Sequence, residues 1–225
     1  TVVGMFRGAT AWLAKYRLVD GAVSPPDGPP SNWYPPRPFL NRADLKAAVD
    51  SCLAVSPSGA CDCDSTIVDC GRALYVALTD WNTSLVTDMS GLFRDKADFN
   101  GDISGWNTAA VTDMSAMFEG ARSFSIDIST IDTASVTNMA HMFRRASAFN
   151  RQLNGWNTAA VRNMSGMFEN TDFTVFPGTW NTASVEDMSS MFKDTSDAFT
   201  GEITDTNGVR MHIGNWDTSS VNDMN

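Results

Sequence analysis

The 225-residue chain carries 26 acidic and 16 basic side chains, a formal charge of −10, with 43 % hydrophobic and 19 % charged residues. This balance describes a folded protein rather than a disordered one, and the negative charge argues against nucleic acid or an anionic membrane surface as a partner. No apolar run approaches the ~18 residues of a membrane-spanning helix, so no membrane span is expected.

The chain opens on Thr1 without a charged-then-apolar leader, so any targeting signal is expected to have been removed or to lie outside this stretch. Thr1–Trp12 (TVVGMFRGATAW) aligns with Asp113–Phe124 (DMSAMFEGARSF) further on, setting Met5-Phe6 against Met117-Phe118. Residues 1–12 therefore read as the tail of a preceding repeat array, 13–71 as a linker and cap, and 72–225 as an array of about five and a half copies. Leu13–Leu18 is a short amphipathic segment. Ser24–Phe39 holds seven of the nine prolines, which makes it extended, largely polyproline II, with no helix. Trp33, Tyr34 and Phe39 fit it to strap the end of the array; the sharper alternative is a docking peptide for a proline-binding module. A helix is expected over Arg42–Ala54, capped by Asn41, with Ala43, Leu45, Ala48, Val49 and Leu53 on a mixed apolar face. Such a helix suits the closing of an exposed end of a repeat stack.

All four cysteines, Cys52, Cys61, Cys63 and Cys70, fall within nineteen residues. That clustering reads as two disulfides made in an oxidising compartment. Cys61 and Cys63 are too close to bond comfortably, which leaves Cys52–Cys61 with Cys63–Cys70, or Cys52–Cys63 with Cys61–Cys70. A four-thiolate zinc site is the alternative, though its usual paired spacing is missing, and no metal ligand is assigned.

From Trp81 onward the sequence repeats. Trp81, Trp106, Ile131, Trp156, Trp180 and Trp216 lead successive copies at intervals of 25, 25, 25, 24 and 36. Behind them run Val86, Val111, Val136, Val161 and Val185, then Met89, Met114, Met139, Met164 and Met188. Leu92, Met117, Met142, Met167 and Met191 precede Phe93, Phe118, Phe143, Phe168 and Phe192, and Phe99, Phe124, Phe149, Phe173 and Phe199 close each copy. The apolar side chains of one copy are too few to offset the entropy of ordering it, so copies must stack and share a core. The expected fold is a repeat solenoid, leucine-rich-repeat-like, with coils of about 25 residues. Alternation in Val-Thr-Asp-Met predicts a short strand, and Met-Ser-x-Met-Phe predicts a helical turn. A right-handed β-helix is the alternative. The surplus of the long fifth copy, mostly Thr204–Asn215, is expected to loop out from one face.

Three polar columns accompany the apolar ones: Asn82, Asn107, Asp132, Asn157 and Asn181; Thr83, Thr108, Thr133, Thr158 and Thr182; and Asp88, Asp113, Asn138, Asn163 and Asp187. They are expected to bond neighbouring backbone in turns, as short polar side chains do. The competing reading is calcium held between stacked carboxylates, which the mixture of Asn with Asp weakens. No other cofactor is expected. Asn82-Thr83-Ser84 and Asn163-Met164-Ser165 are N-glycosylation acceptor sequences compatible with secretion, although Asn163 sits in a ladder column.

His141 occupies a position filled elsewhere by Gly91, Ala116, Gly166 and Ser190, and reads as a surface residue; His212 lies in the insertion beside Arg210. No phosphate loop, nucleophile elbow or zinc-binding histidine pair appears in the sequence, and no catalytic residue is assigned. A non-enzymatic protein is expected.

The run FN-x-DIS-x-WNT-x-x-VTDMS-x-MF, from Phe99 to Phe118 and with substitutions from Phe149 to Phe168, resembles the BspA-like leucine-rich-repeat surface proteins, including the repeat shared by mycoplasma surface lipoproteins. The insert, with DGPPSNW and DLKAAVDSCLAVSPSGACDC, is similar to segments that join such arrays in large secreted proteins of algae and other protists. The resemblance implies an extracellular or cell-surface protein, adhesive or structural, without catalytic residues to carry over. Ile131 in place of Trp, the short copy at Asn170–Phe173 and the long insertion depart from the pattern.

Val221–Asn225 stops partway through a copy, which suggests one period of a longer tandem protein. The favoured expectation is a structural, assembling module of a filament, coat or surface appendage, whose partners are copies of itself or adjacent arrays of the same chain. The alternative is an adhesion module binding a surface protein or glycan through the coil face. The outward positions Thr87, Thr112, Thr137, Arg162 and Glu186 differ little among copies, which leans toward structure.

Overall fold

The computed structural model describes residues 38–60, 78–175, 180–195, 202–204, 210–212 and 219–221. Among these, helix α1 spans Arg42–Val55, one residue longer than the sequence predicts. Its start is set by Asn41, whose side chain accepts the Asp44 N–H at 3.0 Å. The buried side is Leu45, Val49, Cys52 and Leu53. Ala43, expected on that face, is exposed, and Cys52 takes a place in it instead. A 3₁₀ turn at Leu78–Asp80 leads into the first copy. In the long fifth copy, β1 (Glu202–Thr204) and β2 (Arg210–His212) pair antiparallel, Ile203 opposite Met211. Of the surplus, the described residues are thus paired strand, the end of β1 and all of β2.

The copies lie side by side in register. In copy one, the N–H groups of Met89, Gly91, Phe93 and Asp95 donate to the carbonyls of Asp113, Ser115, Met117 and Glu119 in copy two, at 2.7–2.9 Å. Met114, Ala116, Phe118 and Gly120 do the same to copy three, Met139, His141, Phe143 and Arg145 to copy four, and Met164, Gly166, Phe168 and Asn170 to copy five. The amides in between fold back: Met117, Glu119 and Ala121 donate three residues upstream, to Met114, Ala116 and Phe118.

This alternation corrects the expected strand and helical turn. A helix would send consecutive amides along its own axis, whereas here every second one leaves for the neighbouring copy. The Val-Thr-Asp-Met strand contracts to one parallel bridge per interface, Asp88 to Asp113, Asp113 to Asn138, Asn138 to Asn163, and Asn163 to Asp187. The helical turn is replaced by a chain of tight turns with left-handed residues four apart: Gly91 and Asp95, Ala116 and Gly120, His141 and Arg145, Gly166 and Asn170, Ser190 and Asp194. Left-handed backbone costs an L residue about 1 kcal/mol or more, and Gly fills three of these ten positions. The two columns are therefore conformational columns, which explains why they hold Gly, Asn and Asp so often.

The apolar columns form one core. Val86, Met89, Leu92, Phe93 and Phe99 of copy one, and their counterparts through Val185, are buried in a single cluster with α1. Phe93, Phe118, Phe143, Phe168 and Phe192 stack with centroids 5.5–5.6 Å apart. The first four face a second ladder within their own copies, Phe93 to Phe99 at 3.8 Å, Phe118 to Phe124 at 3.9 Å, Phe143 to Phe149 at 4.0 Å and Phe168 to Phe173 at 4.2 Å; Phe199 lies outside the described residues. In the shortened copy the second ladder stretches, Phe149 to Phe173 being 6.3 Å against 5.7–5.8 Å earlier. Trp81 stacks on Trp106, and Trp156 on Trp180, each at 6.1 Å; Ile131, also buried, interrupts the row. Phe192 is only half-buried but packs on the core, while Trp216 lies outside the described residues.

Candidate functional site

The polar columns point at backbone. Thr83, Thr108, Thr133 and Thr158, all buried, donate their hydroxyls to the carbonyls of Asn107, Asp132, Asn157 and Asn181 in the next copy, at 2.7–3.0 Å. The Oδ1 atoms of Asp88, Asp113, Asn138, Asn163 and Asp187 accept the amide two residues on, at 2.7–3.1 Å. Asn82, Asn107, Asp132, Asn157 and Asn181 close the same kind of turn. These are Asx turns, in which a short side chain replaces a backbone acceptor. Asp127 belongs to a further set: its Oδ1 accepts the Ser129 amide at 2.9 Å, and this bond, with the Ser129 hydroxyl, holds its carboxyl below the ordinary range. Within the Asp88–Asp187 column, Asn138 Nδ2 also donates to Asp113 Oδ2 at 3.1 Å. Among the described residues no group of three or more His, Cys, Asp or Glu side chains is arranged to hold a metal ion.

Both glycosylation acceptors lie in such turns. Asn82 and Asn163 are half-buried, and each Oδ1 accepts both the amide and the hydroxyl of the serine two residues on, Ser84 and Ser165. Ser165 is itself buried. Of the cysteines, Cys52 is buried in α1 and disulfide-bonded, while Cys61, Cys63 and Cys70 lie outside the described residues. Thr87, Thr112, Thr137, Arg162 and Glu186 are exposed as expected, with Arg162 and Glu186 paired at 2.7 Å. His141 is less open than its column suggests. It is half-buried in left-handed backbone, and its Nδ1 is shielded from solvent without a hydrogen-bond partner. Gly166 of the next copy makes room for the ring, since a Cβ there would run into it.

One row of side chains escaped the sequence reading. Immediately after the first Phe ladder stand Arg94, Glu119, Arg144, Glu169 and Lys193, alternating in sign. Glu119 and Glu169 are buried. Arg94 Nε lies 3.0 Å from Glu119 Oε2, and Arg144 Nη1 lies 3.4 Å from Glu119 Oε1. On its other side Arg144 Nε is 3.0 Å from Glu169 Oε2, a charge contact whose N–H points off the hydrogen-bond line. The alternation was visible in the sequence; what hid it was the choice of columns by identity instead of charge.

On the side of copy one away from copy two, Phe39 and α1 take positions that a neighbouring copy takes elsewhere among the described residues. Within the stack, the carbonyl of Ala140 receives the Ala116 amide; the equivalent carbonyl of Ser90 receives Arg42 Nε at 2.6 Å. The carbonyl of Asn82, matching those that take a threonine hydroxyl, receives the Phe39 amide at 3.0 Å. The Phe39 ring sits 5.3 Å from Trp81, in the slot of a preceding Trp. The imitation is incomplete: Trp106 and Trp156 donate Nε1 to the Leu78 and Ile128 carbonyls, each three residues ahead of the residue that leads the copy before, whereas the buried Trp81 Nε1 has no acceptor. Asp50 of α1 ties to Lys46 and Lys96; burial pushes its carboxyl up, but the two ammonium groups outweigh this and hold it below the ordinary range.

This geometry defines a protein of stacked copies of about 25 residues, alike at their core and turn columns and joined through alternate amides. Residues 62–177 and 173–225 match the family described as "Mycoplasma protein of unknown function, DUF285", and the chain belongs to that family. No curated protein and no solved structure matches the chain. Among the described residues no helix is long and apolar enough to cross a membrane.

Proposed function

We propose that the protein is a non-enzymatic structural module, a leucine-rich-repeat-like solenoid of the BspA-like surface type. It serves as a tandem unit in an extracellular or cell-surface filament, coat or appendage. The observation that carries this reading is the use made of the polar side chains. The Thr column bonds the next copy, the Asx columns bond their own turns, and the charged column bonds along the stack. Side chains used in this way fix register and stiffness, which a scaffold requires. The disulfide at Cys52 supports an oxidising compartment. Its partners in this reading are copies of itself or neighbouring arrays, without a cofactor.

Electron microscopy of the native material tests the proposal. A regular linear or two-dimensional polymer is the expected result; dispersed single particles that bind a surface protein or glycan through the exposed Thr87–Glu186 column would replace it with adhesion.

A further inference from the structure

The apolar columns cannot tell one neighbour from the next. Phe93, Phe118, Phe143 and Phe168 are identical, as are the Val column and the column of Met89, and Leu92 alone departs from the second Met column, so a copy that skips its neighbour meets nearly the same shapes. Within the Trp column, Ile131 marks copy three. The row after the Phe ladder does distinguish neighbours. At the first three interfaces it sets a cation beside an acid, Arg94 to Glu119, Glu119 to Arg144, and Arg144 to Glu169; Lys193 continues the alternation in the sequence. A slip of one copy would set Arg94 beside Arg144, or Glu119 beside Glu169.

We infer that the alternating charges of Arg94, Glu119, Arg144, Glu169 and Lys193 form a pairing code that admits each copy only beside its immediate neighbour. Glu119 and Glu169 are 5 % and 9 % exposed. At such sites a like-charged neighbour meets little screening, and an acid without its cation is among the costliest defects a fold can carry. A slip of two copies restores the signs, but it leaves two copies of apolar columns unburied. The code stands whether or not the stack assembles further.

Refolding the full chain from urea with its disulfides intact, followed by hydrogen exchange and mass spectrometry, tests it. Wild type should give one isotopic envelope per peptide. The variant Glu119→Gln, Arg144→Met, Glu169→Gln keeps the sizes but erases the signs. With only Arg94 and Lys193 still charged, a slip of one copy meets no like charge, so the variant should show a second, fast-exchanging envelope from a looped-out copy, at least about tenfold more abundant than in wild type given the penalty removed. Inverting all five signs (R94E, E119R, R144E, E169R, K193E) should return the single envelope. If the neutral variant refolds with single envelopes, whether at full or lowered stability, the row is merely a set of ion pairs and the code is wrong. A second envelope that inversion leaves in place would also overturn it, since individual residues and not the sign pattern would then matter. Should either variant fail to fold, wild type refolded in 1 M salt decides. Screening to about 3 Å acts on the row while it is still solvated, so the second envelope should appear there, and its absence overturns the code.

Discussion

The first end of the stack and its interior solve the same problem with different groups. Inside, the Ala140 carbonyl is met by a backbone amide one copy back; at the end, the Ser90 carbonyl is met by the guanidinium of Arg42. Inside, Trp rings lie on Trp rings; at the end, Phe39 lies on Trp81. The interior is thus held by groups that every residue carries, and tolerates Ile131 in place of Trp or a shortened copy. The end is held by the Arg42 side chain of α1 and by the ring and amide of Phe39 just before it, and leaves Trp81 Nε1 without an acceptor. A backbone ladder is indifferent to sequence, whereas a side-chain imitation of it is not.

The comparison breaks most severely in the middle of the stack. Phe118→Ala removes a ring packed against Phe93, Phe124 and Phe143 and should cost about 3–5 kcal/mol in urea unfolding. Phe192→Ala, at a half-buried ring, should cost about 1–2 kcal/mol; equal losses would mean that the stack has no energetic interior. Next comes Gly155→Ala, whose new Cβ would meet the Ser129 carbonyl of the copy before. We expect a loss of about 1–3 kcal/mol from overpacking, seen as a lowered Tm. Arg42→Ala should cost about 1 kcal/mol, with faster amide exchange in copy one and none in copy three. Uniform acceleration across all copies would show that α1 is not a local cap. The smallest effect is electrostatic. Because the Asp50 carboxyl is held below the ordinary range, its contribution is fully present above that range and is lost as pH falls through the lowered value. Asp50→Asn should therefore lower stability slightly at neutral pH, flatten the acid limb of the stability curve and leave low pH nearly unchanged.

Much of the stack was legible in the sequence because burial is a one-dimensional pattern. Columns spaced by about 25 residues must share a core, and Trp81, Met114 and Phe143 lie in it. Asn41 announced the start of α1 because a cap is a contact three residues long. His141 shows the limit. Its column looked variable and therefore superficial, yet the variation answers to a left-handed backbone and to the space that Gly166 leaves.

The sequence by itself determined the period, the apolar columns and the turn-forming use of the Asx residues, since each depends on spacing along one chain. Tertiary structure alone decided where the alternate amides of Met114, Ala116, Phe118 and Gly120 go, and that Arg42 would take the place of an amide. A hydrogen bond goes to the nearest correctly placed carbonyl, and which carbonyl that is depends on how the next copy sits, not on the residues that flank the donor.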